Sequence, residues 1–300
     1  MLRIMNKDIQ LTIVTPTYNR AEMLPNLYRS LCEQTSKNFI WLIIDDGSKD
    51  KTEEVVNVYK KEKRLNIQYY YQKNSGKYVA HNTGVLMCST ELFLCVDSDD
   101  ELLPHAVEII EHTWKGIKGD PQIVGIVSPK EMEGHSYFSD PPQRGKLMDL
   151  YNSGSLVGET ALVFRSCILK ENLFPVIADE KFMSEDVLYN ILDQRYELFV
   201  LNEYIYRAEY QDDGLTRNIQ RIHWLNPKST LLMYENNAAY QTCFTKAVKS
   251  YGSYLAWKKY RKLSSCASNC RVPIKVKFFG SLLFYHYYKL FEKQEKELNL

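Results

Sequence analysis

The chain has 300 residues, of which 45% are hydrophobic and 25% charged, a composition typical of a globular protein with a sizeable buried core. This composition excludes a disordered chain, a collagen and a small disulfide scaffold. The absence of any run of about 18 apolar residues excludes a polytopic membrane protein. A formal net charge of +1 does not favour a nucleic-acid partner.

The charge is spread unevenly along the chain. Residues 246–300 contain 12 Lys and Arg against 3 Glu and carry +9, whereas residues 1–245 carry −8. A basic C-terminal region on an acidic body predicts that this region faces something anionic. The seven cysteines include no CxxC pair, and the N-terminus has no signal-peptide core, so we expect reduced thiols and a cytoplasmic location.

The first half of the chain alternates strand and helix patterns, which predicts an α/β fold with a mainly parallel sheet. The predicted strands cover residues 11–15, 39–44, 67–72, 91–96, 123–127 and 161–164. A first helix follows the first strand, with Asn19 as its expected N-cap. Further helices are predicted over 51–63, 77–88, 104–118 and 180–195, and the chain is helical from about residue 222. The polar segment 131–146 is predicted to be a flexible insert.

Two acidic clusters stand directly after predicted strands: Asp45-Asp46, and the run from Asp97 to Asp100. Because the carboxyl ends of parallel strands meet at one edge of a sheet, both clusters should lie at that edge. Asp97 and Asp99 form a D-x-D pair, whose carboxylate oxygens suit Mg²⁺ or Mn²⁺ bound to phosphate. A capping turn before the next helix would account for Asp100 without any ligand.

Four linked segments carry a resemblance to a known family: TIVTPTYNR, IIDDGSKDKT, NSGKYVAHNTG and ELFLCVDSDD. In this order and spacing, over about residues 10–115, they resemble the family 2 glycosyltransferases of the GT-A fold. VGETALVFR, EKFMSEDVLYN and AEYQDDGLTRN extend the resemblance to about residue 218, and they are similar to a bacterial subgroup that acts on cell-surface polysaccharides.

The resemblance implies a GT-A nucleotide-diphospho-sugar transferase fold, with a Rossmann-like, mixed but mainly parallel sheet. The catalytic domain would cover residues 1–220, with a nucleotide-sugar half over about 1–115 and an acceptor half over about 116–220. A helical, basic and aromatic region would follow over 221–300.

The resemblance also implies roles for individual residues. The nucleotide would contact Pro16, Tyr18, Asp45, Asp46, Asn74 and Lys77. Of the two neighbouring aspartates, Asp45 is favoured as the acceptor of a hydrogen bond from the base. Asp97 and Asp99 would hold Mn²⁺ or Mg²⁺ on the diphosphate. His81 stands where many members of the family have an arginine, a departure that puts a phosphate contact there in question.

A later acidic motif in the family supplies the base that activates the acceptor, and Glu185-Asp186 matches it. We favour Asp186 as this base, with Glu185 as the alternative. From the residues alone, both would be acids favoured by the dipole at a helix N-terminus. Glu159 is a candidate for the acceptor pocket. Arg217 and His223 are candidates for contacts with the diphosphate or the metal beside a lid over 212–217.

The resemblance therefore implies an inverting, divalent-metal-dependent hexosyltransferase. It would move a sugar from a nucleotide sugar, UDP-linked by the habit of the family, to a saccharide or lipid-linked saccharide acceptor in bacterial cell-surface polysaccharide synthesis. One alternative is an inactive GT-A scaffold subunit, which predicts eroded acidic residues, but these are intact. A sugar nucleotidyltransferase would need a Gly-rich, basic loop after the first strand, and TPTYNRAEM is not one.

Residues 274–291 mix basic and aromatic side chains, and their most apolar stretch, 278–288, is too short and too polar at its end to span a bilayer. Two interpretations stay open. The segment could be an amphipathic helix at the inner face of the cell membrane. It could instead pack on its own catalytic domain or on a second subunit of a homo-oligomer.

Overall fold

The structure is a computed structural model that describes residues 10–132, 136–208, 215–264 and 270–298, without the side chains of 215–217. Contacts divide these residues into two compact units. The first comprises residues 10–173 and 196–208, and the second comprises 174–195 and the described residues from 215 onward.

The first unit is built on a ten-stranded mixed sheet, with a separate two-stranded sheet of β7 and β9. The strands of the two sheets are β1 (Leu11–Thr17), β2 (Phe39–Asp45), β3 (Ile67–Tyr71), β4 (Leu92–Cys95), β5 (Glu101–Leu102), β6 (Ile123–Glu131), β7 (Tyr137–Phe138), β8 (Arg144–Gly145), β9 (Leu156–Val157), β10 (Thr160–Arg165), β11 (Glu197–Val200) and β12 (Tyr206–Arg207). The main order is β3-β2-β1-β4-β10-β6-β11-β8, and β12 pairs with β5 and β6. Strands β3, β2, β1 and β4 are parallel, and β10 is antiparallel to both its neighbours.

Helices follow the parallel strands in alternation. Those of the first unit are α1 (Leu24–Cys32), α2 (Thr52–Glu62), α3 (Lys77–Met87), α4 (Ala106–Ile117), α5 (Leu147–Ser153) and α6 (Ser166–Glu171). Every residue of β1 and β2 is buried, as expected for a parallel sheet covered on both faces. The predicted α/β architecture with a mainly parallel central sheet is thus confirmed.

The expectation that Asn19 caps the first helix is wrong. Helix α1 begins at Leu24, and Asn19 has a left-handed backbone with a φ of 52°. Its side-chain oxygen accepts a hydrogen bond from the Lys49 backbone N–H at 2.8 Å, and its own N–H donates to Ser48 Oγ at 2.8 Å. Asn19 therefore ties the loop after β1 to the loop after β2 instead of starting a helix.

The second unit is helical. Its helices are α7 (Asp186–Leu192), α8 (Leu215–Leu225), α9 (Pro227–Tyr240), α10 (Phe244–Tyr260), α11 (Ile274–Leu282) and α12 (Phe284–Leu298). Its aromatic core centres on Trp257, which packs edge-to-face on Trp224 and Phe291 at centroid distances of 5.0 Å. Over the part of the chain that is described, no helix combines the length and apolar character needed to cross a membrane.

Helix α7 is shorter than the predicted helix over 180–195. The backbone N–H groups of Lys181 and Phe182 donate to Asn226 Oδ1, at 2.9 and 3.2 Å, so they are engaged outside any helix. Glu180 accepts hydrogen bonds from the first turn of α9, including Ser229 N at 2.7 Å. These contacts group residues 174–195 with the C-terminal helices, whereas the division expected from sequence put them in the catalytic domain.

Candidate functional site

The site of the first unit lies where the central parallel strands end. Thr17, the last residue of β1, is in register with Asp45, the last residue of β2. On the other side of β1, Val96 donates its N–H to the Val14 carbonyl just beyond the end of β4. The two acidic clusters therefore follow the two strands that flank β1, at one edge of the sheet, as predicted.

Asp45 is buried, with 1% of its surface exposed. One carboxylate oxygen accepts a hydrogen bond from the Tyr69 hydroxyl at 2.6 Å, and the other accepts one from the Ser48 N–H at 2.7 Å. Asp45 thus fixes the turn after β2, and a contact with a nucleotide base would have to use the lone pairs that remain.

Asp46 anchors the loop that leads from β3 into α3. Its carboxylate accepts hydrogen bonds from the N–H groups of Ser75 and Gly76, at 2.9 and 2.7 Å, and from Gln72 Nε2 at 2.8 Å. A Cβ on Gly47, whose φ is 86°, would stand 2.7 Å from Asn74 N, so only glycine lets the two loops approach this closely. Asp46 therefore positions the loop that carries Asn74, which is partly exposed.

The loop after β1 offers an aromatic face. Pro16 is buried in β1, whereas Tyr18, directly after the strand, is 45% exposed. Between them, Thr17 is 3% exposed, and its hydroxyl has no hydrogen-bond partner among the described residues. An exposed tyrosine ring next to this edge is a suitable surface for stacking a planar base.

Lys77 and Asp97 form the closest ion pair of the site. The Nζ atom of Lys77, the first residue of α3, lies 2.7 and 3.0 Å from the two oxygens of Asp97. Burial raises the pKa of Asp97, but the charges of Lys77 and Lys130 outweigh it and bring that pKa below its ordinary value. The Asp97 carboxylate is consequently ionised at neutral pH.

Asp99 is partly exposed and has no hydrogen bond or ion pair with any described residue. Across the described ranges, no three His, Cys, Asp or Glu side chains converge into a set that could hold a metal ion by themselves. Asp97 and Asp99 nevertheless supply the hard carboxylate oxygens that Mg²⁺ and Mn²⁺ prefer, and Mg²⁺ is commonly held by one or two carboxylates together with substrate phosphates. The residues present thus fit a divalent cation that is shared between the protein and a diphosphate.

Sequence reasoning missed a polar cluster behind this pair, centred on Tyr206 of β12. The Tyr206 hydroxyl donates to Asp100 at 2.7 Å and accepts the backbone N–H of Asp97 at 3.0 Å. Lys130 of β6 lies over the Tyr206 ring, 4.4 Å from its centroid, and pairs with Asp100 at 3.5 Å and with Glu159 at 3.2 Å. Glu159, a candidate from sequence, thereby joins the same charged network as Asp97.

Burial and charge oppose each other within this cluster. Burial is the main cause that raises the pKa of Asp100 to about 6, and the positive charge of Lys130 works against it. Burial lowers the pKa of Lys130, but Asp97, Asp100 and Glu159 more than compensate and raise it. A lysine at the end of the apolar stretch IVGIVSPK was the one sequence signal that could have pointed to this cluster.

His81, on α3, is buried and packs edge-to-face on Phe93 at a centroid distance of 4.9 Å. Burial, helped by the charge of Lys77, lowers its pKa to about 3. His81 is therefore neutral at physiological pH and does not supply the positive charge of the arginine found at this position in many members of the family.

His81 makes the stability of the protein depend on pH. Because its pKa is about 3 when folded and about 6.5 when unfolded, the unfolded chain binds more protons between these values. We expect the free energy of unfolding to fall by about 2 kcal/mol from this group between pH 7 and pH 5. Urea titrations at both pH values should show that the free energy of unfolding falls less in His81→Gln than in wild type. The control His105→Gln changes an exposed side chain and should behave as wild type. An unchanged drop in His81→Gln would contradict this assignment.

In the second unit, Glu185 and Asp186 are both exposed at the start of α7. His223, on α8, contacts Thr230 Oγ1 through Nδ1 at 3.1 Å, and the Thr230 hydroxyl donates to the His223 carbonyl at 3.0 Å. The Thr230 hydroxyl has one proton, and it donates this proton to the His223 carbonyl. In its contact with His223 Nδ1 the hydroxyl is therefore the acceptor, so Nδ1 carries the proton and Nε2 of neutral His223 is unprotonated.

Burial lowers the pKa of His223, and the charge of Asp186 opposes this shift. His223 and Asp186 therefore interact electrostatically within the second unit. Arg217 belongs to α8, but its side chain and residues 212–214 of the expected lid lie outside the described part of the chain.

Comparisons with known proteins indicate the family and the fold of the chain. A family model described as glycosyl transferase family 2 matches residues 12–169. An uncharacterized glycosyltransferase of Rickettsia bellii is 27% identical over an alignment of 182 residues, which covers 56% of this chain and 24% of the relative. The chain spans about a quarter of the length of the first curated relatives that it matches.

Among solved structures, the 1–349 portion of S. aureus TarS in complex with UDP-GlcNAc has a TM-score of 0.61 at 15% identity, over 96% of this chain and 92% of that one. The mannosyltransferase PcManGT from Pyrobaculum calidifontis, in complex with GDP-Man and Mn²⁺, has a TM-score of 0.51 at 15% identity, over 96% of this chain and 84% of that one. These likenesses confirm the predicted GT-A fold. Since the family model covers more than half of the 300 residues and includes both acidic clusters, the chain belongs to glycosyl transferase family 2.

Proposed function

We propose that this protein is an inverting, divalent-metal-dependent glycosyltransferase that moves a sugar from a UDP-sugar to a saccharide acceptor. The single observation that carries this proposal is the juxtaposition of Lys77, Asp97 and Asp99 at the carboxyl edge of the parallel sheet. A lysine at a helix N-terminus suits an anion, and two hard carboxylates suit a cation, which together match a diphosphate with its metal.

In this proposal Asp97 and Asp99 hold Mn²⁺ or Mg²⁺. When bound, the cation neutralises the charge that builds up on the leaving nucleoside diphosphate. Support comes from the mannosyltransferase of the same fold, which was solved with GDP-Man and Mn²⁺. Lys77 binds the diphosphate once it exchanges its present partner Asp97 for the phosphate oxygens.

The nucleoside moiety would stack on the exposed ring of Tyr18 and contact Pro16, Asn74 and the turn held by Asp45 and Asp46. UDP is the favoured nucleotide, because the TarS structures of the same fold contain UDP and UDP-GlcNAc.

We assign the acceptor base to Asp186, with Glu159 lining the acceptor site and Arg217 and His223 as contacts for the diphosphate or the cation. The acceptor hydroxyl attacks the anomeric carbon, its proton passes to Asp186, and the bond to the diphosphate oxygen breaks. A single displacement of this kind inverts the configuration at the anomeric carbon.

We propose that the acceptor is a saccharide or lipid-linked saccharide of bacterial cell-surface polysaccharide synthesis, reached at the inner face of the cell membrane. The relative from Rickettsia supports a bacterial acceptor, and the basic C-terminal region supports a place at the inner face of the cell membrane.

Calorimetric titration of UDP into the purified protein, with Mn²⁺ and with EDTA, tests the proposed donor site. We expect binding with Mn²⁺ and much weaker binding with EDTA, followed by sugar transfer or slow donor hydrolysis when UDP-sugars are screened. Binding of GDP or TDP instead of UDP would contradict the uridine preference. A folded protein that binds none of these nucleotides would contradict the enzyme and favour the inactive scaffold.

Tyr206→Phe tests whether the cluster behind Asp97 positions the metal-binding loop. The change leaves the Asp97 N–H and the Asp100 carboxylate without the Tyr206 hydroxyl, at a cost of about 1–2 kcal/mol in the free energy of unfolding. We expect UDP affinity in the presence of Mn²⁺ to fall about tenfold, with little change in EDTA.

Tyr28→Phe is the matched control for Tyr206→Phe. Tyr28 is also buried and donates to a carboxylate, Glu62 at 2.6 Å, but this hydrogen bond joins α1 to the end of α2. The Tyr28→Phe variant should lose stability without losing Mn²⁺-dependent UDP binding. Equal loss of UDP binding in both variants would show that Tyr206 acts only through stability.

A further inference from the structure

Helix α11 carries apolar side chains that point away from the described core. Ile274, Phe278 and Leu282 are 85%, 62% and 67% exposed. They recur every four residues, so at about 100° per residue they lie within an arc of about 80° on one face of the helix. We call these three residues the α11 stripe.

The opposite face of α11 is the one that packs on the second unit. Val276 and Gly280 are buried, and a Cβ on Gly280 would stand 2.8 Å from Tyr251 Cβ and 2.9 Å from the Val248 carbonyl oxygen of α10. Because α11 already has a packed face, the α11 stripe adds nothing to the core of this unit. Single exposed apolar residues are common on protein surfaces, but three on one face of a nine-residue helix mark an interaction surface.

Positive charge borders the α11 stripe on both sides. Lys275 and Lys277 are exposed, and helical geometry places one on each side of the stripe. The surrounding sequence is equally one-sided, since residues 236–291 contain ten Lys and Arg and no Asp or Glu. This surface therefore suits a partner that is apolar in its interior and negatively charged at its surface.

We propose that the α11 stripe docks on the surface of an anionic lipid bilayer, with α11 lying in the interface and Lys275 and Lys277 among the headgroups. Apolar side chains flanked by lysines are the arrangement by which interfacial helices bind such surfaces. A second copy of the chain is a poorer occupant, because a symmetric contact through this face would bring Lys275 and Lys277 of both copies together.

Sedimentation of the full chain with lipid vesicles tests the docking without using transferase activity. The vesicles are phosphatidylcholine alone and phosphatidylcholine mixed with phosphatidylglycerol. We expect wild type to pellet with the mixed vesicles, and less so at high salt. The variant Ile274→Ser/Phe278→Ser/Leu282→Ser should bind at least about tenfold more weakly, and so should Lys275→Glu/Lys277→Glu.

Matched controls come from α2 of the first unit. Lys60→Glu/Lys61→Glu makes the same change in net charge at exposed positions, and Val58→Ser removes an apolar side chain that is 53% exposed. Both should pellet like wild type. The proposal would be overturned if Lys60→Glu/Lys61→Glu lost as much vesicle binding as Lys275→Glu/Lys277→Glu. It would also be overturned if the wild-type protein stayed in the supernatant. A wild-type dimer that the serine variant converts to monomer, with no vesicle binding, would assign the stripe to a second copy.

Discussion

Replacing Asp99 with asparagine is expected to lower the rate of sugar transfer about a thousandfold and to abolish the Mn²⁺-dependent part of UDP binding. Asp99 makes no hydrogen bond or ion pair with any described residue, so its charge has no structural partner to lose. The amide keeps the shape of the side chain but removes the anionic oxygen that a hard cation prefers. Stabilising the leaving diphosphate is worth several kcal/mol, which corresponds to this loss in rate.

The measurement is calorimetry of UDP with Mn²⁺ and with EDTA, beside a transfer assay with the donor found in the screen. Asp149→Asn makes the same chemical change at an exposed position of α5 that has no role in the proposed site, and it should leave both readouts unchanged. If Asp99→Asn keeps wild-type binding and its dependence on Mn²⁺, Asp99 is a solvated turn residue and the cation is held elsewhere.

The parallel sheet and the position of the site could be predicted from sequence because both depend on local patterns. Apolar runs such as 39–44 predicted the central strands. Acidic residues directly after two of these strands, at Asp45 and Asp97, predicted the edge of the sheet at which a ligand would bind. Lys77 was also expected at the start of a helix, where α3 begins. The sequence did not reveal that Lys77 pairs with Asp97, since they are twenty positions apart and meet only through the crossover.

The cluster behind the site could not be predicted, because it depends on pairing between distant strands. Tyr206 reaches the Asp97 backbone from 109 positions away, through the pairing of β12 with β5 and β6. Apart from Lys130 at the end of the apolar stretch IVGIVSPK, no local signal in the sequence points to such a contact. The prediction that Asn19 caps the first helix was wrong for a related reason. A side chain that can cap a helix can equally accept a hydrogen bond from a neighbouring loop, and here Asn19 accepts one from the Lys49 N–H.

Replacing Asp186 with asparagine is expected to lower the turnover of sugar transfer about a thousandfold while leaving Mn²⁺-dependent UDP binding intact. A general base contributes about 10²- to 10⁴-fold, and its loss affects the chemical step, not the binding of the nucleotide. Asp186 is exposed at the start of α7, so the substitution leaves no buried group unsatisfied. Donor hydrolysis should also fall, whereas the thermal midpoint should stay close to that of wild type.

Glu185→Gln separates the two candidate bases, because Glu185 is also exposed and immediately precedes α7. We expect a loss of at most about tenfold, since its carboxylate is not the proton acceptor in this proposal. A thousandfold loss in Glu185→Gln with activity retained in Asp186→Asn would exchange the two roles. Full activity in both variants would mean that these residues are helix N-terminal acids stabilised by the dipole, as the residues alone suggest, and that the base belongs to another part of the chain.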